Sequence, residues 1–299
     1  MFKQSFRYSL LFLCLLCSEL WAQDPLYRKL DNSNGLPTNE IYDLHMDKRG
    51  YVWIGHNKGI SKYTGYTCKT FTNKDMNGYS LSYICEDSHG TIWCGNFNGQ
   101  IFYVKNDSIH LFKQFSTENT NSHSNLYIWN DKLYLCENYA LFEYDINKDK
   151  VRKYQIKMGG DVKVTYVKLV GYKNLIYIAS SRGILVFNGK FIEKAHEPID
   201  GLSTYLFAYN KNNNSVLLVS PFLQPSYELK DKILTKLVHV DGREINASTI
   251  TTLGNKLYVN SHGGLFEYSP QKKLINHIFK DYEISDELYD PEGNLWVST

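Results

Sequence analysis

The chain has 299 residues and a mass of 34.7 kDa, enough for one large domain with a sizeable core. Apolar residues make up 43% and charged residues 21%, which excludes a mainly disordered chain. A net charge of +2 is too balanced for a protein that grips nucleic acid by electrostatics, and 24 Tyr and 15 Phe point to strands rather than a helical bundle.

In chain order, residues 1–22 read as a secretory signal peptide: Lys3 and Arg7 precede the apolar run Leu10–Leu16, and the small Ala22 follows. The run is well short of the roughly 20 residues that cross a bilayer, and no later segment is apolar for longer. No membrane span is therefore expected in the mature chain, residues 23–299, and an exported, periplasmic location is. From residue 41 a β pattern begins. Ile41–Met46 alternates, Asp47–Gly50 carries turn chemistry, and Tyr51–Gly55, Ile60–Tyr63 and Thr67–Phe71 follow as three further strands.

That unit repeats. Asp47, Gly50, Trp53 and Gly55 are matched by Asp87, Gly90, Trp93 and Gly95, and near the end by Asp290, Gly293 and Trp296. Looser copies centre on Tyr134, Tyr177 and Leu217 and a clear one on Tyr258, so the Trp-type position falls at 53, 93, 134, 177, 217, 258 and 296. Four short antiparallel strands in about 40 residues are one blade of a β-propeller, and a blade buries its two faces only by packing against neighbours around a ring. The fold class expected is all-β, a propeller of four-stranded antiparallel blades with about seven repeats, the last incomplete. Tyr27–Leu30 is a candidate outer strand for that last blade.

The recurrent residues read as structure. Asp47, Asp87 and Asp290 cap turn amides, Gly50, Gly90 and Gly293 accept the positive φ of a tight hairpin, and the three Trp pack between blades. Four cysteines follow the signal peptide. Cys85 and Cys94 flank one turn and are the favoured couple if any pair forms, against a reading of all four as small buried thiols. No phosphate loop, zinc-binding helix or nucleophile elbow is present, so no catalytic residue, metal site or cofactor is expected.

Function is expected where repeats differ. With strands lettered a to d from the axis outward, the b–c turns share one face of the ring. They contribute the candidate ligand-binding residues His56, Lys58, Asn96, Phe97, Asn98, Tyr139, Arg182 and His262, a mixture of rings, amides and charges suited to a sugar.

Gly35-Leu36-Pro-Thr-Asn39, Asp47-x-x-Gly50-x-x-Trp53-Ile-Gly55 and Gly59-Ile60-x-x-Tyr63 together resemble the two-component regulator propeller repeat. The similarity runs over nearly the whole mature chain and is sharpest in repeats one, two, six and seven. The resemblance implies an extracytoplasmic ligand sensor of the Bacteroidetes hybrid two-component type. Such sensors pair two propellers with an immunoglobulin-like domain, a membrane helix and a cytoplasmic histidine kinase. It also implies an oligosaccharide ligand, and a second propeller or a homodimer as partner, with no nucleic acid. The chain stops at Thr299 inside a repeat and reads as a fragment without its transmembrane and kinase parts. Two other classes remain open: an exported interaction scaffold, and a propeller lyase, for which streptogramin lyase is an analogy in fold.

Overall fold

A computed structural model of the chain describes residues 27–112, 126–137, 140–156, 166–181, 183–196, 206–210, 214–219, 225–231, 233–280 and 282–299. The expected signal peptide lies outside the described residues. Apart from a single 3-10 turn at Asn32–Asn34, every regular element among them is a strand.

Blade one comprises β1 (Ile41–Met46), β2 (Val52–His56), β3 (Gly59–Tyr63) and β4 (Cys68–Phe71). Blade two comprises β5 (Leu81–Glu86), β6 (Ile92–Asn96), β7 (Ile101–Lys105) and β8 (Ser108–Phe112). Blade three is β9 (Leu126–Trp129), β10 (Lys132–Glu137), β11 (Ala140–Asp145) and β12 (Lys150–Gln155). Blade four is β13 (Tyr166–Tyr172), β14 (Leu175–Ser180), β15 (Gly183–Phe187) and β16 (Ile192–His196). Blade five is β17 (Leu206–Asn210), β18 (Ser215–Val219), β19 (Tyr227–Lys230) and β20 (Ile233–Lys236). Blade six is β21 (Thr249–Leu253), β22 (Lys256–Ser261), β23 (Gly264–Tyr268) and β24 (Leu274–Ile278). The seventh repeat supplies β25 (Asp286–Tyr289) and β26 (Leu295–Ser298).

Each blade is an up-and-down antiparallel sheet in sequence order. Among the described residues six sheets have four strands and the seventh has two, so the four-stranded blades number six rather than seven. The first strands of successive sheets touch in sequence order, and β25 returns to β1, closing a ring of seven inner strands. Tyr27–Leu30 is not a strand, contrary to expectation. Leu30 instead packs with Leu288 and Trp296 against Leu36, Val52, Ile54 and Tyr63, covering the seam where the ring closes.

The burial of each strand follows from its place. Second strands have a neighbouring blade on both faces, and β2, β6 and β18 are buried along their whole length. Outer strands meet water, and β12 and β24 are largely exposed. The core is accordingly divided into wedges between blades. Trp53, Ile60 and Phe71 of blade one meet Leu81, Ile92 and Phe102 of blade two. Trp93, Ile101 and Phe112 meet Leu133, Leu135 and Tyr144 of blade three. Both Trp thus sit between blades, as their mid-strand position implied. Blades also approach closely through backbone: a Cβ on Gly55 would lie 2.5 Å from the Leu81 carbonyl oxygen.

Each recurrent Asp holds more than its turn. One Asp47 oxygen accepts the amides of Arg49 and Tyr51 at 3.0 Å, and the other accepts Trp53 Nε1–H at 3.0 Å. Asp87 takes the same three donors from His89, Thr91 and Trp93, each at 2.9 Å, and Asp290 reaches Trp296 Nε1 at 3.2 Å. Gly50 and Gly90 close these turns with φ of +83° and +80°. Burial works against the charge on Asp47, but the Trp53, Tyr51 and Arg49 donors outweigh it and hold its carboxyl below the ordinary value. In repeats three and six, which lack the Asp, a cross-strand Tyr–Glu pair stands at that position. Tyr134 Oη donates to the buried Glu143 at 3.2 Å, and Tyr258 stands directly opposite Glu267.

Among the described residues, Cys68, Cys85, Cys94 and Cys136 are free thiols. Cys85 stands opposite Trp93 in the β5–β6 ladder, so its neighbour Cys94 points to the other face of the blade. Cys85 faces the wedge with blade three and Cys94 the wedge with blade one, and no Cys85–Cys94 bond joins them.

Candidate ligand-binding face

Antiparallel order puts the β2–β3 and β6–β7 turns on the same face as the connection from β4 to β5. The hydrogen bonds across it show this. Asn98 Nδ2 donates to the Asn77 carbonyl at 2.7 Å, and the Phe97 amide donates to the Ser80 carbonyl at 3.3 Å.

Two expected ligand residues turn inward instead. His56 is fully buried: its Nδ1 accepts the Lys58 amide at 3.2 Å and its Nε2 meets Ser61 Oγ at 2.8 Å, which in turn meets Thr70 Oγ1 at 2.8 Å. Burial, then the nearby Lys58 ammonium, push its imidazole down to about 4, so it is neutral at pH 7. Asn96 is also fully buried, and its amide ties Asn77, Gly78 and Gln100 together. Lys58, Phe97 and Asn98 stay on the face, Lys58 with its ammonium on the Pro37 carbonyl at 2.8 Å. His262 is exposed on the β22–β23 turn. Tyr139 and Arg182 lie outside the described residues.

Beside Phe97 stands a group that the sequence pattern did not single out. The Tyr42 ring lies 4.9 Å from the Phe97 ring, Tyr42 Oη donates to Glu40, and Asn57 Nδ2 donates to the other Glu40 oxygen at 2.5 Å. Tyr42 is the extra residue of a β-bulge in β1, between the pairs Ile41–His56 and Asp43–Gly55. A bulge re-aims one side chain at a sheet end, and here it swings Tyr42 toward blade two. Tyr42, Phe97, Asn57, Asn98 and the exposed Tyr79 thus give one seam of this face two kinds of surface: flat rings and amide or carboxylate groups.

A second polar cluster lies on the axis. Asp43, Lys168, Thr249 and Asp286 occupy one register position of four inner strands, opposite Gly55, Ala179, Asn260 and Ser298 respectively. Asp43 Oδ2 accepts the Ile84 amide of blade two at 2.6 Å, and Asp286 Oδ2 accepts the Leu44 amide of blade one at 2.7 Å. Thr249 Oγ1 meets both Glu287 oxygens, at 2.6 and 2.5 Å. Burial, then the charge of Asp286, push Asp43 up to about 7; burial likewise raises Asp286 and takes Glu287 to about 7.

A groove of about 360 Å³ opens between blades one and two at the opposite face, lined by Arg49, Lys62, His89, Lys105 and Asp107 among others. Its cations are largely engaged within the fold. Lys62 and Lys69 both bond Asp107, at 3.1 and 2.9 Å, and Arg49 bonds Asp47 at 3.1 Å.

Residues 35–58 match the family model of the two component regulator propeller. A histidine kinase of Formosa agariphila, "Histidine kinase P4", is 27% identical over 77 residues, covering 25% of this chain and 6% of its own length. The extracellular domain of a protein described as a hybrid two-component system of B. thetaiotaomicron superposes with a TM-score of 0.71 at 18% identity, covering 91% of this chain and 39% of that one. A second such domain from B. thetaiotaomicron gives a TM-score of 0.71 at 14% identity, with 91% and 40% covered. Virginiamycin B lyase of Staphylococcus aureus gives 0.69 at 13% identity, covering 87% of this chain and 92% of the lyase. At these identities the solved structures speak for fold alone, and the chain spans well under half of the sensor domains it matches. Residues 35–58 thus match the two component regulator propeller model, and the chain shares its β-propeller fold with the extracellular domains of two putative hybrid two-component systems.

Proposed function

We propose that this chain is the extracytoplasmic, ligand-sensing propeller region of a two-component sensor, exported by its N-terminal segment. In this reading it takes a carbohydrate-derived ligand on the face that carries the β2–β3 and β6–β7 turns. The observation that carries the proposal is the regulator propeller repeat at residues 35–58, which includes Asn57 and Lys58 and so builds part of that face. The Tyr42–Phe97 pair supports the choice of ligand, because sugar rings pack their C–H faces on aromatic rings while their hydroxyls bond amides and carboxylates. In a full-length sensor, binding here would shift a population between two arrangements of the propeller and its partner.

The test is thermal unfolding of residues 23–299 against a panel of glycans. A ligand at about 100 times its dissociation constant stabilises by about 2.7 kcal/mol. Such a shift that is lost in Phe97→Ala supports the proposal. A panel without effect rejects the carbohydrate ligand and favours a protein-binding scaffold, and turnover of any glycan rejects the sensor reading.

A further inference from the structure

The groove of about 360 Å³ between blades one and two lies on the face opposite the b–c turns, and its charge is one-sided. Arg49, Lys62 and Lys105 line it as permanent cations, with His89 beside them, against a single lining carboxylate, Asp107. The three cations come from the β1–β2 turn, from β3 and from the end of β7. Trp53, Thr91 and Val104, all buried, line it from the core side. Its volume lies in the range of a small-ligand site and exceeds what one bare ion fills.

The engagement of these cations within the fold is partial. The Lys62 side chain is only 15% exposed, and its ammonium lies 5.1 Å from the Tyr51 ring centroid and 5.8 Å from that of Trp53. The Arg49 guanidinium lies over the same Tyr51 ring at 5.4 Å, so two like charges crowd one ring. Arg49 gives only Nη2 to Asp47, and Lys105 is exposed with no bonding partner among the described residues. Lys62 and Lys69 both close on Asp107, a carboxylate 58% exposed on the turn between β7 and β8. Those two bonds, Lys69 first, hold the Asp107 carboxyl below its ordinary value and keep it ionised. One exposed carboxylate thus serves two ammoniums, which converge where an oxyanion is held.

We propose that this groove is a second binding site, for a tetrahedral oxyanion: the phosphate or sulfate group of a small ester. Arg49, Lys62 and Lys105 are its contacts, and Asp107 is a resident counter-ion that competes with the ligand for Lys62 and Lys69. An arginine fork beside point-charge ammoniums suits such a group, which offers acceptors on every side. The charge count fits a dianion. Arg49, Lys62, Lys69 and Lys105 against Asp47 and Asp107 leave two positive charges, which one doubly charged ligand neutralises. The site stands whether or not the opposite face binds a glycan.

Inorganic phosphate and inorganic sulfate, titrated separately into residues 23–299 at pH 8 and constant ionic strength, test this by backbone-amide NMR. Half-saturation is expected in about the millimolar range, with shifts gathered at Gly90, Thr91, Asn106 and Asp107 and none at Asn57, Lys58 and Phe97. Binding of either anion supports the site, and the tighter of the two identifies the ester. Lys105→Gln removes an exposed, unpartnered charge, so it should weaken binding about two- to fivefold and leave the melting temperature unchanged. Asp107→Asn separates a binding site from a mere tie between blades. It frees both lysines and should tighten binding about two- to tenfold, whereas loss of a tie would leave binding unchanged or weaker. The proposal is overturned if neither anion saturates below about 50 mM, if shifts spread over exposed lysines all round the chain, or if Asp107→Asn fails to tighten binding.

Discussion

The Asp–Trp bond inside each well-formed repeat is the most exposed part of this account to experiment, and Asp87→Ala tests it. Asp87 is 1% exposed and accepts three N–H groups. Truncation leaves Trp93 Nε1 and the Thr91 amide without acceptors, in residues only 4% and 6% exposed. The exposed His89 amide turns to water instead. Each orphaned buried donor costs about 1–3 kcal/mol, so the variant should lose about 3–5 kcal/mol. Asp290→Ala is the internal control, because Trp296 is half-buried and its indole can find solvent; about 1–2 kcal/mol is expected there. Urea unfolding followed by tryptophan fluorescence gives both values. A loss below about 1 kcal/mol for Asp87→Ala, or equal losses for the two variants, would refute the claim that burial of the indole bond anchors the blade.

Other outcomes follow from the same geometry. Gly55→Ala drives a methyl against the Leu81 carbonyl, forces blades one and two apart, and should cost about 1–3 kcal/mol by the same urea assay. Burial pushes the Cys94, Cys136 and Cys85 thiols well up, so they should resist a thiol reagent in the native protein at pH 8 and react once it is denatured. A reducing agent should leave the melting temperature of residues 23–299 unchanged, since no cysteine pair is bonded among the described residues.

Much of the architecture was legible because a propeller repeats its constraints. The Trp-type position recurs every 38 to 43 residues, and each copy brings the same turn and the same inter-blade packing. What was hidden depends on direction rather than identity. The turn role of Asp47 shows in the sequence, yet its second oxygen reaches Trp53 six residues on, through the hairpin's curl. His56 and Asn96 look like rim residues because they end strands at polar turns; both side chains point inward, to Ser61 and to Gln100. Tyr42 was invisible for the opposite reason, since a bulge breaks the alternation that assigns it a side. The axial acids did leave a trace. Asp43 and Asp286 both lie ten residues before their Trp, a charged residue in an otherwise half-apolar strand at the same place in two repeats.

β25 and β26 pair in register and Asp290 still finds Trp296, although the sheet has two strands. Besides its own ladder, blade seven is gripped on either side: Thr249 with Glu287 and Tyr258 beside Tyr289 toward blade six, Leu44 with Asp286 toward blade one.

The most direct measurement maps where a stabilising glycan lands, by comparing hydrogen exchange of the chain with and without it. New protection should gather at Asn57 and Lys58, at Asn77–Ser80 and at Phe97 and Asn98. Protection gathered at Asp47–Gly50 and Asp87–Gly90, on the far side of the ring, would contradict the assignment of the sensing face.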